Sequence, residues 1–172
     1  MEIYREPLKK GEEALSKEKK ASSLNEALKD VFYLQESVFE SYDVKKPLFK
    51  EMSEIADAKT ILASSTSGLL MSKIQRAVKN HPERCVIAHP WNPPHLMPLV
   101  EIVPRKKTSK EVIDETIKLM KEIGKKPALL RKEVVGMIGN RLSALWREAV
   151  DLVNKGIATV EDVDNVIKMA QG

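Results

Sequence analysis

The stretch "KTILASSTSGLLMSKIQRAVKN", Lys59 to Asn80, joins a short apolar run to a serine-rich turn and then to a helical segment. "KTILAS" reads as a strand, "SSTSG" as the turn that ends it, and "LLMSKIQRAVKN" as the following helix. Working outward, the same alternation recurs on both sides. Upstream, Ser23 with Glu26 forms a capping box for "SSLNEALKD", and "VFYLQE" is a short strand of buried type. Asp43 is expected to cap "VKKPLFKEMSEIA", with Pro47 in its first turn and Val44, Leu48, Met52 and Ile55 on one apolar face. A charged helix is expected before about Lys20.

Downstream, "RCVIAH" and "PLVEIVP" are the third and fourth strands. Thr108 with Glu111 is expected to open the helix "SKEVIDETIKLMKEIG", which Gly124 stops. "KPALLRK" is a fifth strand. Short apolar strands alternating with helices predict an α/β layered fold with a mostly parallel sheet. From about Gly136 only helical pattern remains: "MIGNRLSALWREAVDLVNKG", then "VEDVDNVIKMA" capped by Thr159. The boundary is expected near Val134–Gly139, giving an α/β region over 1–134 and a helical region over 135–172.

The 172 residues are 42% hydrophobic and 31% charged, the composition of a soluble globular chain. The net charge of +4 is spread over alternating Lys and Glu, with no basic stripe and no aromatic interleaving, so no nucleic-acid partner is expected. No apolar run reaches membrane-spanning length, and the N-terminus lacks the apolar core of a signal peptide, so a cytoplasmic protein is expected. Cys85, the one cysteine, sits in an apolar run and reads as a buried inert thiol. The histidines His81, His89 and His95 lack metal-ligand spacing, so no metal site is expected.

Three polar residues stand where open α/β sheets bind ligands, at strand ends and helix starts. Ser67 follows the second strand, His89 ends the third, and Asn140 opens a helix. Each also has a purely structural reading, as a helix cap, a satisfied strand-end histidine and a polar N-terminal residue. Together they support a more specific one. A histidine removes a hydroxyl proton when a carboxylate orients it, and Glu101 on the adjoining strand is that carboxylate. Ser67 and Asn140 are then placed to hydrogen-bond the substrate oxygen.

The motifs "TILASSTSGL", "AHPWNPPHLMPLVEIVP" and "GMIGNRLSALWREAVDLVNKGIATVEDVD" occur in the same order as in the 3-hydroxyacyl-CoA dehydrogenase family, which the chain resembles from about Ser22 to its end. The resemblance implies a partial Rossmann-like, doubly wound sheet followed by the first helices of an all-α C-terminal domain. It implies NAD as cofactor and oxidation of a 3-hydroxyl to a 3-keto group, as in fatty-acid β-oxidation. His89 is the base it implies and Glu101 that base's partner, with Ser67 and Asn140 holding the substrate. Glu40 and Lys45 match a segment approaching the NAD ribose, and Ser65 a position near the nicotinamide ribose usually held by asparagine. Asn92 matches a loop asparagine beside the active site.

"HPWNPP" lacks the aromatic that usually follows the histidine in acyl-CoA members. It is closer to the branch of lambda-crystallin and L-gulonate 3-dehydrogenase, which leaves a free hydroxy acid open as substrate beside an acyl-CoA. The seven glycines contain no G-x-G pair, so the phosphate loop that opens the family's NAD site is not in this sequence. The expectation is a fragment that binds NAD weakly and has little activity alone, or a non-enzymatic assembly partner. Self-association, as a homo-oligomer or with a complementing chain, is expected.

Overall fold

A computed structural model describes residues 19–170. The charged helix expected before Lys20 lies outside the described residues. Among the described residues, twelve helices and strands follow in order. They are α1 (Leu24–Ala27), β1 (Tyr33–Glu36), α2 (Tyr42–Ile55), β2 (Ile61–Ser64), α3 (Met71–Ile74), β3 (Cys85–Pro90), β4 (Leu99–Val103), α4 (Lys110–Glu122), β5 (Lys126–Leu129), α5 (Ile138–Leu142), α6 (Ala144–Asn154) and α7 (Val160–Ala170), with 3-10 turns at Gln75–Ala77 and Pro82–Arg84 before β3.

The five strands form one sheet in chain order. β1, β2 and β3 run parallel, β4 reverses against β3, and β5 returns parallel to β4. The reversal follows from the connection: the proline-rich link between β3 and β4 carries no helix, and only an antiparallel neighbour can be reached so directly. Side chains alternate across the sheet. Leu62, Cys85, Ile87 and Val103 pack with Phe49, Met52, Met71 and Ile74 of α2 and α3 on one face. Ile61, Ala63, Val86, Ala88, Val100 and Ile102 pack with Val112 and Met120 of α4 on the other. Coverage on both faces is why β2 and β3 read as unbroken apolar runs.

Several local expectations shift by a residue or two. Ser41, not Asp43, caps α2: its hydroxyl accepts the Asp43 N–H. The helix therefore begins earlier, Pro47 falls in its second turn, and the Asp43 carbonyl receives no N–H from it. The buried face of α2 carries Lys45, Phe49, Met52 and Ser53, and Val44 is exposed. Ser109, not Thr108, caps α4 by accepting the Val112 N–H. The Thr108 hydroxyl instead donates to the Cys85 carbonyl and accepts from Arg105 N–H. The long helix expected after Met137 breaks at Ser143 into α5 and α6. The helix expected after the second strand is brief, passing into a 3-10 turn at Gln75. Gly124 does stop α4, in the left-handed region at φ 79°. Thr159 exchanges hydrogen bonds with Asp162 as the cap of α7.

Arg84 is a buried charge that the sequence pattern does not reveal. Its guanidinium donates to the carbonyls of Ser53, Ala56 and Asp57 at the C-terminal end of α2, where a cation complements the helix dipole. Cys85 is fully buried, and burial pushes its thiol up to about 12, the environment of an inert thiol. No described helix is long and apolar enough to cross a membrane.

Candidate active site

The antiparallel pairing of β3 with β4 sets His89 directly opposite Glu101, and directly paired residues project to the same face. The His89 Nδ1 lies 3.5 Å from Glu101 Oε2. The ring nitrogen is buried and has no hydrogen-bond partner. The carboxylate, only 1% exposed, is held by other groups. Trp91, two residues past His89, donates its indole N–H to Oε2 at 3.0 Å, and the Gly139 N–H donates to Oε1 at 3.4 Å. Gly139 sits so close to Trp91 that a Cβ there would overlap the indole ring. Helix α5 is thus seated on the sheet through a glycine against a tryptophan.

Asn140 is the next residue along α5 and lines the same cavity as Glu101. It is exposed, and its carbonyl accepts from the Ser143 hydroxyl. A cavity of about 420 Å³ lies here, bounded by Trp91, Leu99, Glu101, Ile138, Asn140 and Trp146.

The second part of the site is the loop after β2. Because β2 pairs in parallel with β3, Ser65–Ser67 emerge beside the His89 end of β3. Two carboxylates fasten this loop. Glu36, at the end of β1, accepts from the Lys45 amine at 2.7 Å, the Val38 N–H at 2.6 Å and the Ser64 hydroxyl at 2.6 Å. Ser64 in turn accepts the Thr66 N–H. Glu40 accepts from the Thr66 hydroxyl and from the N–H groups of Ser67 and Gly68. Lys45 is itself 1% exposed, bonded to Glu36 and the Val38 carbonyl and 3.6 Å from Glu40. Burial pushes the Glu40 carboxyl up. The hydrogen bonds from Thr66, Gly68 and Ser67, with the Lys45 charge, outweigh that and hold it below the usual carboxylate range.

The geometry gathers His89, Glu101 and the Gly139–Asn140 turn, and it sets Ser67 on the neighbouring strand end. Lys45 is placed inside the protein as the counter-ion of Glu36, whereas the Glu40 side chain is 40% exposed. Ser65 shares hydrogen bonds with Ser37 and Gln35. Asn92 is exposed, before the cis peptide bond to Pro93. Glu36 and Gly139 join this network without having been singled out from the sequence. The acid "QES" ending a strand and the glycine preceding Asn140 were the available signals. No group of three or more His, Cys, Asp or Glu is placed to hold a metal ion among the described residues.

Residues 5–134 match the 3-hydroxyacyl-CoA dehydrogenase NAD binding domain, and residues 136–172 match the C-terminal domain of the same enzymes. The chain belongs to the 3-hydroxyacyl-CoA dehydrogenase family. It is 46% identical to an L-carnitine dehydrogenase of Oceanobacillus iheyensis over 151 residues, 87% of this chain and 49% of that protein. It is 40% identical to the lambda-crystallin of Oryctolagus cuniculus over 162 residues, 94% of this chain and 50% of the other. The chain spans about half the length of these relatives. Among solved structures, a diketoreductase aligns with a TM-score of 0.81 at 29% identity, over 92% of this chain and 56% of its own. A 3-hydroxyacyl-CoA dehydrogenase from Archaeoglobus fulgidus aligns with a TM-score of 0.75 at 32% identity, over 91% and 53%.

The residues present fit part of an NAD molecule. Ser37, Ser65 and Gln35 bring hydroxyl and amide groups together at the strand ends, a donor and acceptor set suited to ribose hydroxyls. Glu40, with a side chain 40% exposed, adds a carboxylate close to these strand ends. A glycine-rich cradle for pyrophosphate is not in this sequence.

Proposed function

We propose that this chain carries the proton-transfer half of an NAD-dependent dehydrogenase that oxidises a secondary hydroxyl at the 3-position of an acyl substrate to a ketone. The supporting observation is the His89–Glu101 pairing across β3 and β4, with the imidazole Nδ1 turned to a buried carboxylate. That leaves Nε2 as the nitrogen for the substrate. Nε2 takes the hydroxyl proton as the C–O bond becomes a carbonyl, and Glu101 stabilises the imidazolium that forms. NAD, when bound, takes up the hydride leaving the carbinol carbon. Ser67 and Asn140 hydrogen-bond the substrate oxygen and hold the C–H bond in line. Ser65, Ser37 and Glu40 hold the nicotinamide ribose, and Asn92 flanks the site from the proline loop. Lys45 serves this site through Glu36 and the loop those residues fasten.

An acyl-CoA is the substrate class the family points to. The likeness to L-carnitine dehydrogenases at 46% identity supports a second reading, a free 3-hydroxy acid. The exposed apolar residues of α6 and α7, Trp146, Val150, Val166 and Met169 among them, support association with further chain, in the same polypeptide or another copy.

The test grafts residues 22–172 into a full-length relative and follows NADH formation with a 3-hydroxyacyl-CoA, L-carnitine and a sugar acid. The substrate that turns over identifies the class. His89→Ala is expected to lower kcat/KM by about 10²–10⁴-fold. Unchanged turnover by that variant overturns the assignment. Calorimetry of NAD binding to the ungrafted chain separates a weak binder from a non-binding assembly partner.

A further inference from the structure

Glu101 Oε2 has two suitors. The Trp91 indole N–H holds it at 3.0 Å, while the His89 Nδ1 stands 3.5 Å from the same atom and is buried without a hydrogen bond. Oε1 is occupied separately by the Gly139 N–H. The carboxylate therefore cannot swing freely toward the imidazole. Its position is fixed by a ring that is itself wedged against the Cβ-less Gly139.

We propose that Trp91 is a positioning residue that competes with His89 for Glu101, holding the carboxylate while the imidazole is neutral and yielding Oε2 when the imidazole takes a proton. The proposal rests on the His89–Glu101 reading given above. The physical basis is the order of bond strengths. An indole N–H is a neutral donor, and an imidazolium N–H is a charged one. Charge-assisted hydrogen bonds to carboxylate are roughly twice as strong as those from neutral donors. Uptake of the substrate proton by Nε2 therefore reverses the competition for Oε2. Because the ring also packs on Gly139, release of the indole loosens the seat of α5, and Asn140 is the adjoining residue. Trp91 thus links the protonation state of His89 to the helix that carries a substrate-holding residue.

The experiment is NMR of the nitrogen-labelled full chain at a pH where His89 is neutral. It compares the wild type with Trp91→Phe and Glu101→Gln, and Trp146→Phe identifies the two indole signals. Phe keeps an aromatic ring over Gly139 but has no N–H to donate. In Trp91→Phe the His89 Nδ1 proton is expected to move downfield and to exchange with solvent roughly tenfold more slowly, as it gains a bond to a charged acceptor. In Glu101→Gln the Trp91 indole proton is expected to move upfield, with roughly tenfold faster exchange. If Trp91→Phe does not fold, the Glu101→Gln arm decides the matter. An indole signal unmoved by Glu101→Gln overturns the proposal. So do His89 signals that Glu101→Gln moves and Trp91→Phe leaves alone, a result under which the His89–Glu101 pair still stands. If neither substitution moves the His89 signals, the pair itself falls, and the proposal with it.

Discussion

The two flanks of the site are built to different standards of completeness. On the β1–β2 flank every anchoring group is engaged: Glu36 accepts three hydrogen bonds, Glu40 accepts three, and the buried Lys45 lies between them. On the β3–β4–α5 flank Glu101 has one short hydrogen bond, from Trp91, and one long one, from Gly139, and the His89 Nδ1 has no partner. A saturated network has one low-energy arrangement, whereas an unsatisfied buried donor or acceptor marks a place where a second arrangement is close in energy. The difference matches the work proposed for each side. Ser65 and Ser67 need a fixed platform, and His89 needs an environment that accommodates gain and loss of a proton.

The comparison can be broken most severely at Lys45. Lys45→Met leaves the Glu36 carboxylate buried without its counter-ion, and should lower unfolding stability in urea by about 3–5 kcal/mol. The double variant Glu36→Gln with Lys45→Met should recover much of that loss, because neither charge is then stranded. Ser64→Ala removes one donor from the same carboxylate and should lower stability by about 2–3 kcal/mol in the same titration. On the looser flank, Gly139→Ala forces the Trp91 ring to shift. It should lower stability by about 1–2 kcal/mol and blue-shift or broaden Trp91 fluorescence, with α5 as the element displaced.

The smallest effect concerns acidity on the saturated flank. The folded-state pKa of Glu40 lies below its ordinary value, so its contribution to stability is present above the unfolded-state pKa and lost as pH falls through the folded-state one. Amide exchange at Ser67 and Gly68, which donate to this carboxylate, should quicken across that acidic window before the sheet opens. Glu40→Gln should abolish the pH dependence.

These contrasts also show what the sequence could and could not convey. The five strands and the place of Glu101 on the strand adjoining that of His89 were legible from the apolar runs; the strand order and the reversal of β4 were not, because they depend on how the proline link returns the chain. Cap positions were not, since Ser41 and Asp43, like Thr108 and Ser109, are all competent caps, and tertiary contacts chose between them. Lys45 read as a cofactor-facing charge, because its burial depends on Glu36 from another element. Trp91 and Gly139 meet across a wide gap in sequence, and nothing local to either residue announces the other.

Arg84 acquires a further meaning from this architecture. It grips the last carbonyls of α2 and directly precedes β3, whose rise of about 3.3 Å per residue leads to His89 roughly 16 Å on. The opposite end of α2 carries Lys45, which reaches the platform of Ser65 and Ser67 through Glu36. One helix therefore serves as a common baseline from which both flanks are surveyed. A tilt of that baseline carries base and platform together, and the span between them is preserved.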